Sequence, residues 1–410
     1  MRLAEVFHRA IGPSSGVEFS AFDGSHAGPA DASVRVEVRT PQALSYLASA
    51  PGELGLARAY VTGNLEIVGD VYSALACMSE FDLNGIPWGQ RIGLLTELAR
   101  TRLANRVEVP SLESRPRGLR HSKDRDRQAI SHHYDVSNTF YEWVLGPSMA
   151  YTCAVYPEQE SSLEEAQFTK HELVARKLGL REGMRLLDVG CGWGGMVMHA
   201  AKHHGVRALG VTLSRNQAEW AQKAIVDAGL SDLAEVRYLD YRDVREDGFD
   251  AVSSIGLTEH IGKAKLPAYF SSLQRKLRPG GRLLNHCITR PDNRQRSRTG
   301  GFINRYVFPD GELVGPGHIV SVMNDSGFEV RHEENLREHY ALTLTAWCRN
   351  LDAHWAEAVK EVGEERARVW RLYLAGSRLG FERNNIQLHQ VLGVKLDGSE
   401  SHMPLRPDWT

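Results

Sequence analysis

The stretch Leu186–Gly195, "LLDVGCGWGG", decides the fold. An apolar run ends in an acid, Asp188, and is followed at once by Gly190, Gly192, Gly194 and Gly195 around Trp193. Such a run is a buried strand, and the glycines behind it permit a tight turn and let a ligand approach the backbone. Asp188 supplies a carboxylate that can order the turn or a bound cation. Outward from this point the chain alternates between strand and helix patterns. Apolar strand candidates are "RLLDVG", "RALGVT", "AEVRYLD", "FDAVSSIG" and "GRLLNHCI", separated by helical stretches such as "SRNQAEWAQKAIVDAG" and "LPAYFSSLQRKLRPGG". Repeated strands feeding crossover helices predict an α/β fold with a doubly wound, largely parallel sheet.

In such a sheet, ligands bind beyond the carboxyl ends of the strands, near the point where strand order reverses. The residues just past the five candidate strands are Gly190 to Gly195, Thr212 with Ser214, Asp240 with Tyr241, Glu259 with His260, and His286 with Ile288. Polar groups therefore converge on one edge. Dinucleotide dehydrogenases use a similar glycine run, but they place an acid after the second strand to hold a ribose hydroxyl. Here that place reads "VTLSRNQ", with Thr212, Ser214 and Gln217 and no acid, which argues against a nicotinamide cofactor.

A length of 410 residues predicts two domains. Residues 1–110 read as an N-terminal domain in which "VRVEVRT" alternates like a half-buried strand and "QRIGLLTELARTRLANRV" is an amphipathic helix, packed on its own domain or on lipid. Residues 111–130 read as a basic linker, with Arg115, Arg117, Arg120, Lys123, Arg125 and Arg127, either solvated or set against anionic headgroups. Residues 131–410 are the catalytic domain. The balance of 49 Lys+Arg against 51 Asp+Glu, a formal net charge of -2, argues against a nucleic-acid partner. Five cysteines without a Cys-x-x-Cys pair suggest neither a disulfide framework nor zinc, and fit a reducing cytoplasm. The paired His132 and His133 lack companion ligands at metal spacing, so no metal is expected. "MRLAEVFHRAIGPSSG" has no apolar core of signal-peptide length, and no run of about 18 apolar residues occurs.

"LLDVGCGWGG", "GVTLSRNQ" and "LDYRD" together resemble the S-adenosylmethionine-dependent methyltransferases. With "HYDVSN", "MAYTCA", "TEHIG" and "IQLHQV", the chain most closely resembles the cyclopropane-fatty-acyl-phospholipid synthases and their mycolic-acid-modifying relatives, over roughly two thirds of its length. The resemblance implies a class I methyltransferase, Rossmann-like, with a smaller N-terminal α+β or helical domain serving lipid presentation or dimer formation. It implies S-adenosylmethionine binding by Tyr151, Thr152, Asp188, Gly190, Gly192, Gly194, Thr212, Leu213, Gln217, Tyr241 and Arg242. An adenosyl sulfonium needs backbone donors and small side chains, which agrees with the loop. The family also holds a bicarbonate, and the matching positions are Cys153, Glu259, His286, the Ile288 amide and Tyr340.

The implied reaction sets these requirements. Methylation of an isolated cis alkene leaves a carbocation, which must be shielded from water, stabilised and deprotonated. The expected substrate is an unsaturated acyl chain of a phospholipid, met by peripheral contact at the inner face of the membrane. Loss of the proton from the new methyl closes a cyclopropane; a hydride shift first gives a methylene branch, which a separate reductase would finish. A small-metabolite methyltransferase and a non-catalytic lipid-binding protein are the other readings. Trp143, Trp193, Trp347 and Trp355 read as core or pocket wall, and Tyr151, Phe140 and Tyr306 as candidates for lining an acyl channel. The family's cysteine near the carboxyl end is Ser377 here; direct transfer from sulfonium to alkene needs no covalent enzyme intermediate, so its loss is tolerable.

Overall fold

The five apolar runs become strands where the pattern places them. In the computed structural model, which describes residues 2–11, 16–50, 52–78, 108–134 and 136–409 and not the side chains of 131–133, the chain divides into two compact units. The amphipathic stretch 90–107 and the side chains of His132 and His133 lie outside the described residues.

The larger unit comprises Arg115–Thr299, Phe308–Ala353 and Gly380–Thr410. Its seven strands are β5 (Arg185–Val189), β6 (Arg207–Thr212), β7 (Ala234–Tyr238), β8 (Phe249–Ile255), β9 (Leu277–Thr289), β10 (Glu329–Asn335) and β11 (Gln387–Val394), in the order β10-β11-β9-β8-β5-β6-β7. Strands β9, β8, β5, β6 and β7 run parallel, whereas β11 is antiparallel to both its neighbours. Strand order reverses between β5 and β8, which sets the ligand crevice there. Because side chains alternate along each strand, Leu186, Ala208, Leu284 and Leu392 feed one core layer while Leu187, Leu209, Leu283 and Val391 feed the other. Helix Leu163–Leu178 covers the first face. It starts at a capping box, in which the Ser162 hydroxyl accepts from the Glu165 amide and Glu165 reaches back to Ser162, and it ends at Gly179 in the left-handed region.

The smaller unit comprises Met1–Ser114, Gly300–Val307 and His354–Leu379, so two segments from the predicted catalytic stretch belong with the N-terminal residues. Strands β1 (Val17–Ala21), β2 (His26–Ala27), β3 (Val34–Val38) and β4 (Leu65–Val68) form a sheet in the order β2-β1-β3-β4, with β1 and β3 parallel. Val17, Phe19, Val36, Leu44 and Tyr60 are buried with it. The late segments are tied in by polar contacts. The Ser114 amide donates to the Arg305 carbonyl at 2.7 Å, and Arg368 donates to the Tyr60 carbonyl at 3.2 Å and to the Glu66 carboxylate.

The expected linker is structured. Residues from Arg115 belong to the larger unit, and Lys123–Tyr134 is helical. Arg120 and Arg125 both donate to Asp310, at 3.0 and 2.5 Å, and Lys123 donates to Asp243 at 2.5 Å. These cations are therefore engaged inside the unit rather than displayed as a simple basic stripe. No described helix is long and apolar enough to cross a membrane.

Inside the smaller unit, Arg58 and Glu113 form a buried bidentate pair with contacts of 2.6 and 3.0 Å. Removing one partner of a buried pair strands the other charge. Arg58→Ala is expected to destabilise this unit by about 3–5 kcal/mol in urea unfolding, and Arg58→Met with Glu113→Leu to recover most of it. A loss below about 1 kcal/mol for the single variant would show the pair to be dispensable.

Candidate active site

The crevice at the carboxyl ends of β5, β6 and β8 is a cavity walled by the loops that leave those strands. Of the residues implicated in cofactor binding, Tyr151, Thr152, Asp188, Gly190, Gly192, Thr212, Leu213, Gln217, Tyr241 and Arg242 line it. Gly194 does not. Its φ is 79°, and a Cβ there would meet the Ala221 Cβ at 3.2 Å and the Val236 Cγ2 at 3.4 Å, so it seats the turn against the helix and sheet behind. The Gly190 and Cys191 amides both donate to the Val211 carbonyl, at 2.9 and 3.1 Å, which pins the loop to the neighbouring strand and opens helix Gly195–His204.

Each wall is organised by its own sequence. On the β6 loop the Thr212 hydroxyl donates to Gln217 Oε1 at 2.8 Å, and Ser214 caps helix Arg215–Asp227 by accepting from the Gln217 amide. On the β7 loop Asp240 accepts from the Arg242 amide at 2.9 Å and from its guanidinium at 2.6 and 2.8 Å. Arg242 also reaches Asp126 at 3.0 Å, which brings the former linker to the cavity wall. Tyr241 stands edge-on to Tyr269, with ring centroids 5.2 Å apart. Aromatic rings close the remaining side: Tyr134 packs edge-on against Tyr151, Trp193 and His260, and Tyr151 lies 5.3 Å from Trp347. Trp193 and Trp347 are thus pocket wall and core, as expected.

The floor holds a residue that the sequence reading missed. Lys170, from helix Leu163–Leu178, is 1% exposed, lines the cavity, and donates to the Thr152 hydroxyl at 2.9 Å. Burial pushes its ammonium down to about 8, against the pull of Cys153 and Asp188. Burial likewise pushes Asp188 up to about 7, opposed by the 2.6 Å hydrogen bond from Ser253 and by Lys170. The two groups are opposite charges in a buried site, and each supports the ionised form of the other. A signal existed: Lys170 falls on the same helical stripe as Leu163, Ala166, Val174 and Leu178, and a lysine in an apolar stripe marks a buried charge. His171 and His260 also line the cavity.

None of the five residues implicated in anion binding is among those lining this cavity. Cys153 is fully buried; its thiol points to the Ala154 and Leu336 carbonyls, and burial pushes it far up, so it is protonated. Tyr340, on the helix that follows Leu336, packs 4.4 Å from the Phe381 ring and edge-on to Trp347. Glu259 sits on the short helix Thr258–Ile261, and its Oε1 accepts from the Ile288 amide at 2.6 Å, so the amide implicated as an anion donor is engaged by the acid. Burial pushes Glu259 up to about 7, with the Ile288 amide pulling the other way, and its Oε2 is buried without a partner.

The tautomer of His286 follows from its surroundings. Lys177 Nζ donates to Gln390 Oε1 at 2.7 Å and to Glu334. An ammonium only donates, so the Gln390 amide must present its oxygen to Lys177 and its nitrogen to His286. Gln390 Nε2 lies 3.2 Å from His286 Nδ1, which makes Nδ1 the acceptor and leaves the proton on Nε2. That Nε2–H is buried without a partner, and burial keeps the ring neutral. Phe140 is buried beside Tyr141, whereas Tyr306 and Ser377 belong to the smaller unit.

This geometry has counterparts in known proteins. The model of the mycolic acid cyclopropane synthetase family matches residues 121–391. A probable fatty acid methyltransferase of Mycobacterium tuberculosis is 56% identical over 405 residues, spanning 96% of this chain and 94% of the relative. The cyclopropane-fatty-acyl-phospholipid synthase of Escherichia coli is 34% identical over 260 residues, spanning 63% of this chain and 66% of the relative. The crystal structure of mycolic acid cyclopropane synthase CmaA1 complexed with SAH and CTAB is similar with a TM-score of 0.62 at 32% identity, covering 66% of this chain and 98% of that one. The chain belongs to the mycolic acid cyclopropane synthetase family and is an S-adenosylmethionine-dependent methyltransferase, cyclopropane-fatty-acyl-phospholipid synthase-like.

Proposed function

We propose that this enzyme transfers a methyl carbon from S-adenosylmethionine to the cis double bond of an unsaturated fatty acyl chain of a phospholipid and closes a cyclopropane ring, with bicarbonate as proton acceptor. The observation that carries this reading is that Glu259 Oε2 and His286 Nε2 are both buried without a partner, on a helix and a strand joined by the Glu259–Ile288 hydrogen bond. Buried polar atoms are rarely left unpaired without a functional reason. One offers an N–H and the other an acid oxygen, so together they suit a small oxyanion that carries one proton of its own. When bound, the sulfonium supplies an electrophilic methyl and bicarbonate supplies a proton acceptor out of contact with water.

The chain's own residues do the rest. Tyr151, Thr152, Asp188, the glycine loop, Thr212, Leu213, Gln217, Tyr241 and Arg242 bind the nucleoside and its amino-acid tail. Tyr134, Tyr151, Trp193 and Trp347 present ring faces and edges that exclude water from a developing cation. Lys177 and Gln390 hold the His286 proton on Nε2, and Cys153 and Tyr340 occupy the family positions that complete the anion site. Glu259, poised near neutrality, takes up or orders the proton that leaves the substrate. The acyl chain lies in a membrane, so the enzyme works in peripheral contact with the cytoplasmic face, and homodimer formation through the N-terminal residues is part of this reading. A second product is compatible with the relative named a fatty acid methyltransferase: a methylene branch, which a separate reductase would complete.

Purified protein given S-adenosylmethionine and oleoyl phospholipid vesicles should raise acyl mass by one carbon and two hydrogens, with alkene signals lost. Persisting alkene signals at that mass assign the branched product, and no mass change with any unsaturated phospholipid refutes the reading. Gly194→Ala, which touches no cavity surface but strains the loop, should weaken S-adenosylhomocysteine binding by about tenfold or more in calorimetric titration. Because burial raises the Glu259 pKa, the carboxylate is lost below about pH 7, and kcat should rise with pH through that value. Glu259→Gln should flatten this limb and lower kcat at least a hundredfold while cofactor affinity holds; an unchanged pH profile would remove Glu259 from the proton path.

A further inference from the structure

Away from the cofactor cavity, two helices bring three ligating atoms to one point. Glu172 comes from helix Leu163–Leu178, and His199 and His204 come from helix Gly195–His204. Glu172 Oε2 lies 3.2 Å from His199 Nε2 and 3.0 Å from His204 Nε2, and the three ligand atoms all fall within 4.8 Å of one another. In a tetrahedral shell with bonds of about 2.0–2.1 Å, neighbouring ligands stand about 3.3 Å apart. The two edges from Glu172 therefore already have the spacing of a coordination face, and the third, between the imidazoles, is within 4.8 Å.

The surroundings prepare it. Arg176 donates to the other Glu172 oxygen at 3.0 Å, which turns Oε2 toward the imidazoles. His199 is buried, with the His171 and His203 rings 5.5 and 4.7 Å from its own and Phe168 edge-on at 5.1 Å. The Glu172 and His204 side chains keep 22% and 18% of their exposure, which leaves an entry path. Two imidazoles and one carboxylate select borderline divalent ions over magnesium or calcium, which take oxygen ligands.

We propose that Glu172, His199 and His204 form a binding site for one divalent transition-metal ion of the zinc class, completed by water. The ion takes the place of the Nε2 protons that now face the carboxylate, and each imidazole stays neutral as its proton passes to Nδ1 by exchange with solvent. Its place in the fold makes it a clamp: one helix carries Lys170 and His171 into the cavity floor, and the other begins at Gly195 of the glycine loop.

The test uses the full chain, stripped with chelator, and Zn(II) alone in competition with a chromophoric chelator. One equivalent should bind, with a rise in melting temperature. His204→Gln and Glu172→Gln, both at the exposed side of the trio, should each lower affinity about tenfold or more. Co(II) should give the visible bands of a low-symmetry nitrogen and oxygen site in the wild type and lose them in either variant. The proposal is overturned if no ion is taken up. It is equally overturned if uptake is the same in both variants while their circular dichroism matches the wild type.

Discussion

The catalytic unit is organised around a buried lysine ammonium. Lys170 is buried at the point where the helix before β5, the Tyr151–Cys153 segment and the end of β5 meet, and its charge is felt at Cys153, His171, Asp188 and His286. A buried cation costs several kcal/mol unless it is paired and hydrogen-bonded. Asp188 and the Thr152 hydroxyl offset that cost, and in doing so they fix where the glycine loop begins and where the aromatic wall stands. The cavity wall at Thr152 and Asp188 and the buried groups Cys153 and His286 thus feel the same charge.

The interior on either side of Lys170 is neutral by design of its surroundings. Cys153 is held as a thiol and His286 as a neutral ring, because burial penalises the charged form of each. Glu259 differs, since its pKa is brought close to neutrality and it keeps one oxygen uncommitted. A site with one adjustable proton among fixed neutral donors suits chemistry that must collect a proton once and return it to solvent later.

How much of this was legible in the sequence follows from what each residue must do. β5, β6 and β8 were readable because a parallel strand covered on both faces is largely apolar, and β7 because its buried and exposed positions alternate. β10, "EVRHEEN", was not, since an edge strand is charged to discourage further pairing, and its alternation of Glu329, Arg331 and Glu333 reads as loop. The loops past the strands were legible from glycine, threonine and acid positions. Lys177 and Gln390 were not, because a polar side chain buried by distant partners looks like a surface residue until those partners are in place, and Lys170 showed only as a lysine on an apolar helical stripe. The composition of the smaller unit was illegible for a related reason. Arg368 meets Glu66 across a separation of 302 residues, and no local pattern announces such a pair.

β11 sits between β9 and β10, so a segment near the carboxyl end completes the interior of the sheet rather than its rim. While the ribosome is still making residues 290–386, the hydrogen-bonding edge of β9 has no partner, and it is a long, apolar edge. The nascent catalytic unit is therefore held open to strand-pairing with other chains until the last segment arrives. Chains cut short before "QLHQVLGV" lack the strand that pairs with residues 282–289 of β9, and are expected to self-associate through that edge rather than to close the sheet.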